Sequence, residues 1–193
     1  MGVTRFSRRL LVALPLFAAV ALAACGGDDG GEQAAPAVAA PVSTKGLPKA
    51  LAENASQANE IIDGSTEALQ AKLDDLSGHP VVVNQWGSWC PPCRAEFPFF
   101  AEIAEKYADE VAFVGVDIQD DRGAAEDFLE ELPTPYPHIF DEDAEAVESI
   151  GWTGVSPTTW FFDESGQLAF QRPGAYPDGA TLDADIKNVL LRG

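Results

Sequence analysis

The stretch Pro80-Val81-Val82-Val83-Asn84-Gln85-Trp86-Gly87-Ser88-Trp89-Cys90-Pro91-Pro92-Cys93 limits the folds open to this chain more than any other. Pro80 to Trp86 is a short run rich in β-branched residues, which predicts a buried strand. Pro91 and Pro92 follow Cys90 directly, where a helix makes no use of its first N–H groups, so the spacing predicts a helix from Cys90 to Tyr107. A buried strand that enters a helix through a tight turn belongs to a sheet covered by helices, not to an all-helical or all-strand fold.

The two cysteines sit at the first turn of that helix. Unpaired N–H groups and the partial positive charge of a helix N-terminus stabilise a thiolate. In a C-x-x-C setting a cysteine pKa falls from about 8.5 into the neutral range. Cys90 comes first, at the turn, and is expected to expose its sulfur and act as nucleophile. Cys93 lies one turn inside, more buried, placed to attack a mixed disulfide and release the partner. Other uses of the pair fit less well. A structural cystine over three residues closes too small a loop to stabilise much. A zinc site needs four ligands, and there is one C-x-x-C. His79 and His138 are the only histidines and have no partner at ligand spacing, so both read as strand-edge residues and no metal site is expected.

The rest of the chain repeats the alternation of strand and helix. Leu47, Leu51, Ala55, Ala58, Ile61 and Ile62 lie near helical spacing, and Ser65 or Thr66 is placed to cap a second helix carrying Leu69, Leu73 and Leu76. Val111 to Ile118 reads as a second central strand and Ala124 to Leu132 as a helix. Tyr136 to Phe140 reads as a short strand and Ala144 to Ile150 as a short helix. Thr158 to Asp163 and Gln167 to Arg172 form a hairpin around Asp163-Glu164-Ser165-Gly166, and Leu182 to Leu191 closes the chain as a helix. The expected class is α/β, a central mixed sheet with helices on both faces.

The N-terminus points to export. Arg5, Arg8 and Arg9 precede an apolar run from Leu10 to Ala24, which is shorter than the roughly 20 residues of a membrane span and fits the h-region of a signal peptide. Leu22-Ala23-Ala24-Cys25 resembles the bacterial lipobox, in which the chain is cut before a cysteine that receives lipid. Ser7-Arg8-Arg9-Leu10-Leu11 also resembles a twin-arginine signal, so the export route stays open. With Cys25 lipidated, the remaining two of three cysteines form one pair. Residues 1–24 are thus expected to be a signal peptide, 25–46 a Gly-, Asp- and Ala/Pro-rich tether, and 47–193 the folded domain. With 12 Lys and Arg against 31 Asp and Glu, the net charge is −19. Nucleic acid and anionic membrane faces are poor partners for such a surface.

Trp89-Cys90-Pro91-Pro92-Cys93, with Asn84, Trp86, Phe97 and Pro98 around it, resembles the thioredoxin-like proteins of the TlpA/ResA type, related to the cytochrome c maturation thioredoxin CcmG. A second motif, Gly154-Val155-Ser156-Pro157-Thr158-Thr159, resembles the segment where thioredoxin-like proteins carry a cis-proline against the redox pair. The resemblance implies a thioredoxin fold from Leu47 onward with a helix-and-strand insertion between Gln119 and Ile150. It implies that Pro157 is cis and that Ser156 and Trp89 touch the bound partner. It also implies that Glu96 stands near the redox pair, where a carboxylate raises thiol pKa and favours a reductant. Asn84 takes the place of thioredoxin's buried acid. Trp152 and Tyr176 are expected in an apolar rim and Trp160 in the core.

The function so implied is a protein-disulfide reductase without a cofactor, held to a membrane through its N-terminal lipid. Its expected substrates are exported proteins bearing disulfides, apocytochrome c among them, and its expected electron donor is a membrane thiol transporter of the CcdA/DsbD kind. The alternatives are a copper-binding chaperone of the same fold and a disulfide oxidase. Copper chaperones of the Sco type use C-x-x-x-C with a distant histidine, a spacing this chain lacks. Thiol peroxidases place a threonine three residues before the reactive cysteine, where Gly87 stands.

Overall fold

Val81–Trp86 and Ala112–Ile118 offer no polar face to water, and both strands are buried along their whole length. In the computed structural model, which describes residues 43–191, they form the centre of a six-stranded sheet. The elements run α1 (Lys49–Ser56), β1 (Ile61–Asp63), α2 (Ser65–Asp75), β2 (Val81–Trp86), α3 (Pro91–Lys106), β3 (Ala112–Ile118), α4 (Arg122–Glu131), β4 (His138–Asp141), α5 (Glu145–Ser149), β5 (Thr158–Phe162), β6 (Leu168–Pro173) and α6 (Gly179–Val189). The strand order is β1-β4-β3-β2-β5-β6. The first four are mutually parallel in that order, and β5 and β6 run antiparallel to β2 and to each other. The mixed α/β sheet expected from the sequence is therefore present.

Alternation along the central strands sends side chains to two apolar layers. Val81, Val83, Val114 and Val116 join Leu51, Leu69 and Val147 from α1, α2 and α5, and Leu76, which follows α2. Val82, Phe113 and Phe161 join Phe100 and Ile103 of α3 and Leu182 and Ile186 of α6. A third cluster, at the C-terminal end of β2, gathers Trp86, Cys90, Cys93, Phe97, Ala125, Phe128 and Leu129. Trp160 is buried in the first layer, as expected for a core residue.

Three local expectations are corrected. The helix read through Ile62 stops at Ser56, because Asn59 adopts a left-handed backbone (φ 63°), and Ile61 and Ile62 become an edge strand paired with β4. The second helix takes no side-chain cap from Ser65 or Thr66. Its N-cap is Gly64, at φ 125°, and the Ser65 hydroxyl instead donates to Asp141. His138 is not at a strand edge, since β1 covers β4, and it is fully buried. The export signal, Cys25 and most of the tether lie outside the described residues. Among the described residues no helix is long and apolar enough to cross a membrane.

Candidate active site

Strand β2 delivers the site. Its last residue, Trp86, is fully buried, stacking on Phe128 and meeting Phe97 edge-on. Gly87 follows because nothing larger fits: a Cβ there would lie 2.6 Å from the Trp89 indole nitrogen. The Trp89 N–H donates to the carbonyl of Ile118 at 3.1 Å, and the ring stays 49% exposed beside the cysteines. The Cys90 N–H closes the turn on the Gly87 carbonyl at 3.1 Å.

Cys90 is the N-cap of α3, with Pro91 and Pro92 next to it. Its sulfur accepts the Cys93 N–H at 3.3 Å, so the cap of the helix is the sulfur itself. The two residues form a disulfide with their Cα atoms 5.3 Å apart. One expectation is corrected here. In the disulfide form Cys90 is only 1% exposed, because it packs with Trp86, Phe97 and Phe128 at the end of β2.

Glu96 follows Cys93 by one helical turn, on the same face. It is fully buried. One oxygen accepts the Asn84 amide at 2.9 Å, the other the Tyr176 backbone N–H at 2.9 Å. Burial pushes its pKa up to about 7, held there by those two donors and by the charge of Arg172. Tyr176 is thus a core residue that holds Glu96, not part of an exposed rim. Trp152 is half-buried against the first apolar layer, its N–H on the Val155 carbonyl at 2.9 Å.

The antiparallel register sets Thr158 opposite Gln85, which carries Ser156 and Pro157 to the end of the sheet where the Trp89 turn begins. The Ser156–Pro157 peptide bond is cis. Val155, next to it, exposes its side chain as Trp89 does.

Sequence reasoning missed a polar network behind the site. Trp86 donates its indole N–H to His138 Nδ1 at 3.0 Å, so that nitrogen is the acceptor and Nε2 carries the proton. Nε2–H donates to the Thr134 hydroxyl at 2.7 Å, which donates onward to the Tyr136 carbonyl. Burial holds the His138 pKa down at about 3, so the ring is neutral. Gly115 makes room for it, since a Cβ there would lie 2.0 Å from Nδ1. Sequence reasoning also passed over Asp117 and Asp120 at the end of β3. Asp120 accepts both the N–H and the hydroxyl of Ser88. The only signal was two acids closing an otherwise apolar strand.

A mixed sheet with a C-x-x-C disulfide at the start of its central helix defines a thioredoxin fold built for thiol chemistry. The Redoxin family matches residues 35–190. The thiol-disulfide oxidoreductase ResA of Oceanobacillus iheyensis is 31% identical over 113 residues, 58% of this chain and 56% of that one. The thiol:disulfide interchange protein DsbE of Pseudomonas aeruginosa is 36% identical over 121 residues, 62% of this chain and 65% of that one. The match thus spans less than two thirds of either relative. A secreted Mycobacterium tuberculosis disulfide oxidoreductase homologous to E. coli DsbE superposes with a TM-score of 0.54 at 25% identity, covering 60% of this chain and 86% of that one. The chain belongs to the Redoxin family, in its TlpA/ResA/CcmG-like branch of thioredoxin-fold proteins.

Proposed function

We propose that this chain is a thiol–disulfide oxidoreductase that reduces disulfides in exported proteins through Cys90 and Cys93. One observation carries the reading: Cys90 caps α3 with its own sulfur, accepting the Cys93 N–H at 3.3 Å, where the N-terminal field of the helix favours a thiolate. The names of the relatives, thiol-disulfide oxidoreductase and thiol:disulfide interchange protein, agree with it.

In the reduced protein, the Cys90 thiolate attacks one sulfur of a substrate disulfide. The attacked sulfur bonds to Cys90 as a mixed disulfide, the substrate S–S bond breaks, and the other substrate sulfur leaves as a thiolate. Cys93, deprotonated, then attacks Cys90 Sγ and expels the second substrate sulfur. Two electrons pass to the substrate, and Cys90 and Cys93 end as the disulfide. Glu96, with a pKa of about 7 one turn from Cys93, is the group suited to take the Cys93 proton at neutral pH. Its negative charge also opposes stabilisation of the reduced thiolate form, which favours the reducing direction over oxidase work. Trp89, Val155, Ser156 and Pro157 form the surface on which the partner chain lies.

The finer reading places the protein outside the cytoplasmic membrane. Residues 1–24 are removed, Cys25 carries the lipid, residues 25–46 form the tether, and residues 47–193 work at its end. Apocytochrome c is one substrate this reading admits. A membrane thiol donor of the CcdA/DsbD kind would restore the dithiol.

The test is a trap. Cys93→Ser expressed in the native host should retain exported proteins disulfide-linked to Cys90, and Cys90→Ser should retain none. Recovery of no adducts from Cys93→Ser would overturn the reading.

A further inference from the structure

Trp152 has no part in the sulfur chemistry, yet it is anchored at both its backbone and its ring. Its backbone N–H donates to the Val147 carbonyl of α5 at 2.9 Å, and its ring packs against the first apolar layer. The indole N–H crosses to the carbonyl of Val155 at 2.9 Å. Gly154, at φ 84°, turns the chain so that a carbonyl only three residues ahead comes within reach. The same carbonyl takes a second donor, the Thr158 hydroxyl, at 2.7 Å. A carbonyl oxygen has two lone pairs, so the Val155 oxygen is fully occupied.

The rest of the segment is tied down from the β6 side. The Gln171 side-chain amide donates to the Gly151 carbonyl at 3.1 Å, and the Gly174 N–H donates to the Pro157 carbonyl at 2.8 Å. The carbonyls of Gly151, Val155 and Pro157 are therefore all turned onto groups of the protein. Ser156 lies between the last two. Among the described residues, no protein group bonds to its N–H or its carbonyl. With the Val155 oxygen drawn inward, the Val155 side chain stays exposed beside it.

We propose that Trp152 and Thr158 are positioning residues of the partner-binding loop: their two donors clamp the Val155 carbonyl inward, so that the Val155 side chain and the Ser156 backbone meet a partner chain in one fixed arrangement. The inference rests on the exchange reading for its functional meaning, since the loop matters only if a partner docks beside Cys90. Its physical sense is pre-organisation. A loop already held in one conformation has less freedom to lose when a partner binds. The effect falls on docking and not on sulfur exchange. A polypeptide that lies on the loop feels it, and a disulfide too small to touch the loop does not.

The test compares two disulfides in quenched-flow reduction by the reduced full chain: a peptide closed by one disulfide, and 2-hydroxyethyl disulfide, which has no backbone. Trp152→Phe keeps an aromatic ring and loses the N–H. Thr158→Val keeps the shape and loses the hydroxyl. Each should raise the half-saturating peptide concentration about fivefold, the effect of one lost hydrogen bond between neutral groups, and leave the limiting rate unchanged. Neither should alter the rate with 2-hydroxyethyl disulfide. Thr158→Ser keeps the donor and should restore the parental value. If Trp152→Phe does not fold, the two Thr158 variants carry the test. The Val155 carbonyl carbon, deshielded by its two donors, should also move upfield in the nuclear magnetic resonance spectrum of Trp152→Phe and Thr158→Val. A carbonyl resonance unmoved in both, an unchanged half-saturating concentration, or an equal loss with the two disulfides would overturn the proposal. A parent that reduces neither disulfide, while its variants still shift the carbonyl, would sink the exchange reading and leave the clamp standing.

Discussion

Two fully buried carboxyl groups lie on elements that converge at the redox turn, and the protein surrounds them in opposite ways. Around Glu96 the end of β2 and the segment before α6 supply donors: the Asn84 amide, the Tyr176 N–H and, farther off, the Arg172 charge. Around Asp117 the end of β3 supplies another acid. Burial alone pushes both groups up. The donors bring Glu96 back to about 7, whereas Asp120 helps drive Asp117 to about 9. One group is poised to exchange its proton at neutral pH. The other keeps it. Burial decides that a carboxyl is perturbed, and the neighbours decide at which pH it works.

That comparison has a sign that can be checked. Each group has a folded pKa above its unfolded one, so the neutral acid is the form the fold stabilises. The favourable contribution is complete below the unfolded pKa and is lost as pH rises through the folded value. For Asp117 the window runs from 3.8 to about 9, and for Glu96 from 4.5 to about 7. The largest expected effect is therefore at Asp117. In urea unfolding at pH 8, Asp117→Asn should exceed the parent in stability by on the order of 5 kcal/mol, at about 1.4 kcal/mol per unit. An unchanged unfolding midpoint there would break the contrast between the two acids.

Glu96→Gln comes next. It should remove the loss of stability between pH 4.5 and 7, worth about 3 kcal/mol. The same variant should erase the inflection near pH 7 in the rate of disulfide reduction, read in a pH profile of kcat/KM. Thr134→Val tests the network behind Trp86. It leaves the His138 Nε2–H without its acceptor in a buried place, and should cost about 1–3 kcal/mol in the same unfolding measurement. The smallest effect sharpens the comparison from within. Asn84→Ala removes one donor from Glu96, and should move the inflection near pH 7 upward by about one unit or less. A downward move would contradict the role given to Asn84.

Much of this is legible in the amino-acid sequence. The apolar runs at Val81 and Val111 gave the two central strands, because a strand buried on both faces has no alternation to disguise it. Pro91 and Pro92 marked the start of α3, since local chemistry alone places prolines there. The misreadings share a cause. Ile61 and Ile62 continued a helical spacing, and only pairing with β4, far along the chain, made them a strand. Ser65 looked like a cap and was taken by Asp141. His138 looked peripheral because nothing in its neighbourhood announced that β1 would cover β4. Glu96 was legible through the family resemblance and its place one turn after Cys93, but its donor on Tyr176 lies 80 residues away. Asp117 passed as one more residue of a strand, since its distinction is the lack of a donor, which only the packed structure reveals. The burial of Cys90 is of the same kind, set by Trp86, Phe97 and Phe128 around it and not by its place at the turn.

The most direct measurement maps the order in which the two sulfurs react. The fully reduced chain, quenched with iodoacetamide over milliseconds to minutes at pH 7 and digested, should carry label on Cys90 well before Cys93. In the proposed exchange the sulfur that caps α3 attacks first, and its neighbour follows from one turn inside. Label appearing on Cys93 first, or on neither cysteine while the reduced fold is intact, would contradict the account.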